Sequence, residues 1–369
     1  MLLIKNVYKL FALLFCFIFL SLNATTVSDM IPKENKIHVV IAMPFQEGKP
    51  FEPNWYSPAY FESVKDLLPE EKYEVTSYFV SFQNIPKFLD DMHALYKKDP
   101  TLRVLNFCDG GEWDGYPGIS VLTAWEKHPV GKLVPMTGSN AEFIYHSDNK
   151  YRLNEHLKKA QLQTLPEALI PSQELATIDL KTTLEKANLQ NSWPLFVKLN
   201  IGAGSLGIGS ESICHNLDQL KKQLNKMHAS FPTNEHLLVL PYLPGPEYTF
   251  LLINNKVYMG IRRDYQNPEN IFHEDYLEGR RPVSEEVLYH SAPKEAGDFA
   301  LKAVHAIPGK HHYTRVDMRG DGKGNLFVID VNDRPGFGTP STVKYMLEFH
   351  HLNESQLLEE IILSAPIQS

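Results

Sequence analysis

The feature that most constrains the fold is a regular alternation of apolar runs and amphipathic segments in the first third of the chain. Strands are predicted at residues 37–45, 73–80 and 103–107, and helices at 57–68 and 85–98. Successive strands joined by helices need crossover connections, so they form a parallel sheet with helices on its faces. The alternation therefore predicts a Rossmann-like, doubly wound α/β domain over residues 30–140, with ligand-binding loops at the carboxyl ends of its strands.

The remaining two thirds of the chain contain mainly strands and hairpins. Strands are predicted at residues 194–200, 237–243, 248–261 and 328–332, and helices at 218–224 and 294–307. The pair Asn254-Asn255 divides the third of these stretches into a hairpin. Together the elements predict an α+β part with a central subdomain, residues 141–236, and a C-terminal subdomain, residues 237–369. The sequence between them has no low-complexity linker, so we expect the units to pack against one another.

Residues 1–29 have the pattern of a signal peptide. Lys5 and Lys9 precede a 13-residue apolar run, residues 10–22, which is too short for a comfortable membrane span. This segment is the only part of the sequence predicted to meet a membrane. An internal start at Met30 is the alternative, because Met30 lies just before the first predicted strand. N-terminal sequencing of the mature protein distinguishes the two, and the sequence alone leaves the cellular location open.

The charge balance excludes one large class of function. The formal net charge is −8, whereas a general nucleic-acid-binding surface needs an excess of basic residues. The three cysteines, Cys16, Cys108 and Cys214, are too few and too widely spaced for a disulfide framework or a metal cluster. Cys108 and Cys214 lie in or beside apolar segments and are predicted to be buried thiols.

A lysine followed by a glycine-rich stretch predicts a phosphate-binding flap. In FVKLNIGAGSLGIG, residues 196–209, Lys198 lies at the end of a predicted strand. Glycine lets the backbone approach a phosphate and turn its N–H groups toward it, and a lysine neutralises phosphate charge. The spacing matches neither GxGxxG nor a loop ending in GK[ST]. A glycine-rich hairpin without a ligand is the alternative. The predicted nucleotide contacts in the flap are Gly204, Ser205, Leu206 and Gly207.

Polar residues on two strands near the C-terminus predict a metal site. Arg315 and Asp317 share one strand face, and Asp330 and Asn332 share a face of the next strand. If the strands pair, three oxygen-bearing side chains and one guanidinium group converge, and such oxygen ligands suit Mg²⁺. Arg315 could then stabilise a developing negative charge. A charged hairpin in solvent is the alternative. A calcium loop that starts at Asp317 is excluded, because its twelfth position is occupied by Val328, where a glutamate is required.

In their order along the chain these segments resemble the D-alanine–D-alanine ligase-like ATP-grasp family, over roughly residues 100–345. Three segments carry the resemblance. They are a Gly-Ser step before a helix that begins near Lys150, the stretch LPYLPGPEYT at residues 240–249, and the hairpin RVDM…VIDVNDRPG at residues 315–336. It implies an ATP-grasp fold preceded by a Rossmann-like, pre-ATP-grasp domain. It also implies ATP as a cosubstrate and Mg²⁺, in two ions, as the metal, with Mn²⁺ as a substitute.

The resemblance assigns roles to individual residues. For the nucleotide, Lys150 and Lys198 contact the phosphates, Tyr242 and Leu243 hold the adenine, and Glu247 binds the ribose hydroxyls. The metal ligands are Asp317, Asp330 and Asn332, and Arg315 and Lys198 act in catalysis. The substrate is bound by Arg334, Gly336 and Ser341. Several positions depart from the family pattern. Leu240 replaces the carboxylate usually found near the adenine amino group, Asp330 stands where the family commonly has glutamate, and Arg334 is an added cation that could select an acidic substrate.

The chemistry implied is an ATP-dependent ligation of a carboxylate to an amine through an acyl phosphate. The substrates would be small amino acids or peptides, and a homodimer is compatible with the sequence. His311 and His312 precede the metal strand, but paired histidines in this position are more typical of surface or packing residues than of a general base. The alternative function is an exported, non-catalytic relative that binds a nucleotide or small ligand. The signal-like N-terminus favours this alternative, because ATP is scarce outside the cytoplasm, whereas the metal carboxylates, lysines and Arg315 oppose it.

Overall fold

The computed structural model describes residues 36–48, 57–108, 115–202, 204–265, 287–337 and 341–368. Its N-terminal sheet contains β1 (Ile37–Pro44), β2 (Tyr73–Val80) and β3 (Arg103–Asn106), which are parallel and lie in the order β2-β1-β3. Helices α1 (Pro58–Lys65) and α2 (Ile85–Lys98) supply the crossovers. The predicted parallel α/β arrangement is confirmed. The signal-like segment, residues 1–29, lies outside the described residues, and none of the described helices has the length and apolar character needed to cross a bilayer.

Local sequence explains where these helices begin and which face they bury. The Ser57 hydroxyl accepts a hydrogen bond of 3.1 Å from the Tyr60 amide, and Pro58 follows at the first helical position. In α2 the buried side chains include Phe88, Leu89 and Met92, which recur at the spacing of one helix face. Burial of this face against the sheet fixes the helix, since isolated helices of this length are marginal in water.

A central sheet follows after α3 (Gly118–Lys127), α4 (Ala141–Ser147) and α5 (Lys150–Lys159). It contains β4 (Ala168–Pro171), β5 (Leu195–Leu199), β6 (Ile213–Cys214) and β7 (His236–Pro241), which pair antiparallel in the order β4-β7-β5-β6. Helices α6 (Leu180–Lys186) and α7 (Leu217–Ser230) cover one face of this sheet, where Val197 and Val239 contribute to the core. Strand β4 was not predicted, because only its pairing with β7 distinguishes this short segment from a loop. Cys108 and Cys214 are buried, as predicted.

The C-terminal sheet has five antiparallel strands in the order β10-β9-β8-β11-β12. The strands are β8 (Glu247–Ile253), β9 (Lys256–Tyr265), β10 (Val287–Ser291), β11 (Tyr313–Gly320) and β12 (Leu326–Asp333), and the helices are α8 (Lys294–His305), α9 (Thr342–His350) and α10 (Glu354–Leu363). The predicted turn between β8 and β9 is confirmed. Asn254 has a φ of 52°, a left-handed conformation that asparagine tolerates better than most residues.

Alternate side chains of β8 belong to two different core clusters, one on each face of the C-terminal sheet. Leu251 and Ile253 share a core cluster with Val39 and Ile41 of the N-terminal sheet. Phe250 and Leu252 point to the other face and share a second cluster with side chains of α5 and α8. The C-terminal sheet is therefore covered on both faces, and α5 is held between it and the central sheet. The cleft between these two sheets contains most of the polar residues singled out from the sequence.

Candidate active site

The β11–β12 hairpin brings the predicted metal residues together. In its register Arg315 lies opposite Asn332, and Asp317 lies opposite Asp330. The Arg315 guanidinium contacts the Asp317 carboxylate at 2.9 Å from NH2 and 3.0 Å from Nε. The Asn332 amide donates to the same carboxylate oxygen at 3.1 Å, and the Thr249 hydroxyl of β8 donates to the other oxygen at 2.8 Å. The two strands thus converge as the period-2 pattern predicted.

The two predicted phosphate-binding lysines meet beside this hairpin. Lys150 Nζ lies 3.4 Å from Asp330 Oδ1 and donates to the Gly202 carbonyl at 2.8 Å. Lys198 Nζ donates to the Ile329 carbonyl at 2.8 Å. Burial, and then the Lys150 charge, lowers the pKa of Lys198 to about 8. Burial would raise the pKa of Asp330, but Lys150, Lys198 and Arg315 hold it below its ordinary value. The arrangement is an ionised carboxylate surrounded by cations.

Helix α5 is fixed at the position that presents Lys150. The Asn149 side chain caps the helix by accepting a hydrogen bond of 2.9 Å from the Arg152 amide. Asn200, just after β5, accepts hydrogen bonds from the Lys150 amide at 3.1 Å and, through its side chain, from the Tyr151 amide at 3.0 Å. The start of α5 is therefore tied to the end of β5, so Lys150 and Lys198 are held as neighbours.

The glycine-rich segment forms a loop between β5 and β6, as predicted. These strands pair antiparallel through Leu195 and Cys214, so the loop connects adjacent strands of the central sheet. Gly204, Ser205 and Gly207 have φ angles of 64°, 58° and 70°, a left-handed conformation that favours glycine. A Cβ atom at Gly207 would lie 2.7 Å from the Phe231 ring, so only glycine permits this packing.

A buried ionic network surrounds Glu247 at the opposite end of the cleft. Arg263 NH2 lies 2.9 Å from one oxygen of Glu247, and the Tyr265 hydroxyl donates to the other at 2.9 Å. Burial, and then the Glu247 carboxylate, raises the pKa of Tyr265, so its hydroxyl remains a donor. The Arg319 guanidinium lies over the rings of Tyr242 and Tyr265, at 5.4 and 5.3 Å from their centroids. Arg263, Tyr265 and Arg319 could not be predicted as neighbours of Glu247, because only the pairing of β9 and β11 with β8 brings them together.

The predicted substrate residues lie between the end of β12 and the start of α9. Arg334 is 3% exposed and adopts a φ of 50°, and its Nε lies 2.7 Å from the carboxylate of Asp333. Asp333 also accepts a hydrogen bond of 2.9 Å from the Ser139 amide. Gly336 is partly buried just after this pair. Ser341 caps α9, with its hydroxyl accepting from the Lys344 amide at 3.1 Å. Arg334 thus contacts an acidic residue of the chain itself.

His312 is a packing residue, as the sequence indicated for this pair. It is fully buried, and its Nδ1 accepts a hydrogen bond of 3.1 Å from the Gly138 amide. Its Nε2 therefore carries the proton and donates to the Ser364 hydroxyl at 3.0 Å. Burial, and then the neighbouring His311, lowers the pKa of His312 to about 3. The ring is neutral across physiological pH and fixes the Gly138-Ser139 step.

We expect His312 to make the fold sensitive to acid. Its pKa is about 3 in the folded chain and about 6.5 when unfolded, so only the unfolded state takes up a proton between these values. The stabilisation is complete above pH 6.5 and falls by about 1.4 kcal/mol per pH unit as the pH drops toward 3. His312→Asn keeps a side-chain acceptor and should reduce the slope by this amount. Urea unfolding at pH 7, 6 and 5 measures the slope; an unchanged slope would contradict the assignment.

Comparison with known proteins places this site in a family. A family profile described as "D-ala D-ala ligase C-terminus" matches residues 156–363, which is more than half of the chain. The chain belongs to the D-alanine–D-alanine ligase family. The matched range includes Lys198, the glycine-rich loop, Glu247 and the complete β11–β12 hairpin. The resemblance inferred from the sequence motifs is confirmed.

Sequence and structure similarities to individual members of the D-alanine–D-alanine ligase family support this assignment. A D-alanine–D-alanine ligase from Buchnera aphidicola subsp. Schizaphis graminum is 23% identical over 233 residues, which cover 62% of this chain and 72% of the relative. The crystal structure of D-alanine–D-alanine ligase from Bacillus anthracis complexed with ATP superposes with a TM-score of 0.64 at 19% identity, covering 89% of this chain and 97% of that one. The VanG D-Ala:D-Ser ligase from Enterococcus faecalis superposes with a TM-score of 0.59 at 14% identity, covering 89% and 99%. The predicted fold, a parallel α/β sheet followed by antiparallel ATP-grasp sheets, is confirmed, and the chain is an ATP-dependent ligase of this family.

Proposed function

We propose that the chain joins the carboxylate of one small amino acid or short peptide to the amine of another, at the expense of ATP. The observation that carries the proposal is the convergence of Lys150, Lys198 and Arg315 with the acidic hairpin residues at one end of the cleft. Two named relatives use D-alanine, or D-alanine and D-serine, so small D-amino acids are the first substrates to test. The phosphate contacts expected in the flap are Gly204, Ser205, Leu206 and Gly207.

The oxygen ligands of the hairpin fit Mg²⁺. Asp317 and Asp330 are direct cross-strand partners, and the Asn332 side chain lies within hydrogen-bond distance of Asp317. Two carboxylates and an amide oxygen are a suitable set for a hard cation that also keeps water and phosphate oxygens in its shell. We propose that these three residues hold the metal, in two ions, which would neutralise charge on the phosphates. Mn²⁺ could substitute, since it accepts the same ligands.

The reaction requires little covalent chemistry from the chain. In the proposed sequence the γ-phosphoryl group of ATP passes to a carboxylate oxygen of the first substrate. The amine of the second substrate then attacks the acyl carbon, and phosphate leaves. Lys198 and Lys150 would hold the phosphates, and Arg315 would stabilise negative charge at the reacting carboxylate. A neutral, buried His312 is consistent with the lack of a histidine base in this scheme.

The remaining proposed contacts follow the length of the cleft. Tyr242 and Leu243 would hold the adenine, and Glu247 would bind the ribose hydroxyls from within its network with Arg263. Gly336 and Ser341 would contact the substrate beyond the end of β12. For Arg334 we retain the predicted substrate role as a hypothesis, and the contact with Asp333 supplies a competing structural role that mutation can separate.

Phosphate release tests the proposal directly. The full chain is incubated with Mg²⁺, ATP and pairs of D- or L-amino acids or dipeptides, and phosphate, ADP and the ligated product are measured. We expect phosphate release that depends on both a carboxylate donor and an amine, with a product mass equal to the two substrates minus water. Calorimetry with ATP is the control for binding. A chain that neither binds ATP nor releases phosphate with any pair would overturn the ligase proposal.

A further inference from the structure

Glu167 is a buried carboxyl group that the proposed reaction does not use. It lies one residue before β4, and its side chain is 5% exposed. Among the described residues its Oε1 has no hydrogen-bond partner. The ammonium of Lys158 is 4.0 Å away, at the limit of an ion pair, and it lies closer to Glu155, at 2.9 Å. A buried carboxyl oxygen without a hydrogen bond is unfavourable, so the group is suited to a donor that arrives with a ligand.

The strand register places Glu167 on the wall of the nucleotide cleft. Ala168 of β4 pairs with Val239 of β7, so Glu167 falls opposite Leu240 when the register is extended by one residue. Leu240 in turn lies opposite Phe196 of β5, which makes one row of side chains across the sheet. Lys198, two residues beyond Phe196, points to the same face. The opposite face is packed against α6 and α7, so this row lies on the side of the sheet that faces α5 and the cleft.

The position along the cleft identifies the part of the nucleotide that Glu167 would meet. Tyr242 and Leu243, proposed to hold the base, come two and three residues after Leu240. Leu240 and Phe196 are apolar, so Glu167 is the polar side chain of this row. Cross-strand neighbours have Cβ atoms about 4.5–5.5 Å apart, a distance that a glutamate side chain can span. Glu167 can therefore present its oxygen to the edge of a base that lies against Leu240.

We propose that Glu167 accepts a hydrogen bond from the exocyclic amino group of the bound purine and so selects a 6-amino over a 6-oxo nucleotide. An ionised carboxylate is only an acceptor, so it matches the amino group of adenine. A 6-oxo purine would place a second acceptor against the ionised carboxylate, and only the protonated form of Glu167 could donate to it. The inference rests on the proposed nucleotide site and adds the residue that would recognise the base.

The proposed hydrogen bond should also change the protonation of Glu167 when ATP binds. Burial raises the pKa of Glu167 to about 7, although Asn154, Lys158 and Lys198 favour the charged form. A hydrogen bond donated to the carboxylate stabilises its ionised form, so ATP should displace the proton that the carboxyl group partly carries near neutral pH. The release amounts to about half a proton at pH 7. A 6-oxo purine has an acceptor instead of a donor at this position, which favours the protonated carboxyl group, so it should not cause this release.

Base preference is the first test. Dissociation constants of ATP and inosine triphosphate, which differ at the 6-position, are measured with the full chain at pH 8, where Glu167 is mostly ionised. The wild type should prefer ATP by about 10-fold or more, the range expected for a hydrogen bond to a charged group. Glu167→Gln should lose this preference, because its amide can donate to the 6-oxo group. Glu155→Gln, which alters the exposed partner of Lys158, is the matched control and should keep it. Retention of the preference by Glu167→Gln would overturn the inference.

Proton release by the wild type is the second test and does not depend on a variant folding. Calorimetry in two buffers of different ionisation enthalpy near pH 7 gives the protons released by each nucleotide. Contributions from the shared triphosphate cancel in the difference between ATP and inosine triphosphate. Greater release with ATP supports Glu167, whereas equal release with equal affinity overturns the inference and leaves the nucleotide site standing. A chain that binds neither nucleotide contradicts the proposed function itself.

Discussion

Asp317→Asn is expected to reduce ligase turnover by about 10²- to 10³-fold, the usual effect of removing one preorganised electrostatic group from an active site. Asp317 lies at the centre of the site, where Arg315, Asn332 and Thr249 all contact its carboxylate. The substitution removes the charge that would bind Mg²⁺ but nearly preserves the shape of the side chain. The rate of ADP formation at saturating ATP and amino acid measures the effect.

The stability of this variant must be measured beside its activity. Arg315 loses its charged partner in Asp317→Asn, so we expect the free energy of unfolding to fall by about 1–3 kcal/mol. Asp321→Asn is the matched control, because Asp321 lies in the turn of the same hairpin and accepts only local hydrogen bonds from Lys323 and Asn325. It should retain wild-type turnover. Normal turnover by Asp317→Asn would contradict the assignment of Asp317 as a metal ligand.

Arg334→Met is expected to lower the free energy of unfolding by about 3–5 kcal/mol. The side chains of Arg334 and Asp333 are each 2% exposed, and they lie 2.7 Å apart. Burial already raises the pKa of Asp333, although Arg334 opposes the shift. Without the Arg334 guanidinium group, the Asp333 carboxylate is still buried away from water but has lost the charge that compensates for its desolvation. Its folded pKa would rise further above the unfolded value of 3.8, so the loss of stability should grow as the pH rises.

Two comparisons separate a structural role of Arg334 from substrate selection. In Asp333→Asn/Arg334→Met both charges are absent, and most of the lost stability should return. Arg262→Met breaks a partly exposed pair with Asp264, 2.9 Å long, and should cost less than about 1 kcal/mol. If Arg334 instead recognises an acidic substrate, Arg334→Met would raise the KM for that substrate and leave urea unfolding unchanged.

Gly138 shows why this pair was difficult to interpret from the sequence. Its φ is 95°, and a Cβ atom there would lie 2.6 Å from Cδ of Arg334. The Arg334 side chain therefore turns inward over a glycine that is nearly 200 residues away in the sequence. In the sequence Arg334 stands beside Pro335 and Gly336 and has the pattern of a surface loop. A contact at such separation leaves no periodic signal near Arg334.

Most of the helices and strands, and the faces of the polar strands, could be predicted from the sequence without knowledge of the fold. Side chains alternate with a period of two along a strand, so Arg315 with Asp317, and Asp330 with Asn332, could be assigned to shared faces before their pairing was known. Lys198 and the glycine-rich loop are adjacent in sequence, and their link to a phosphate site followed from local chemistry. The order of these motifs was sufficient to predict the family.

The order of the strands in each sheet, and with it the partners of each polar group, required the folded structure. Arg263 and Arg319 meet Glu247 because β9 and β11 both pair with β8. β4 pairs with β7 from Ala168 onward, and extension of this register by one residue sets Glu167 opposite Leu240. These contacts depend on sheet order and register, which follow from burial of apolar faces across the whole chain. A local window of sequence contains the period of a strand but not the identity of its neighbour.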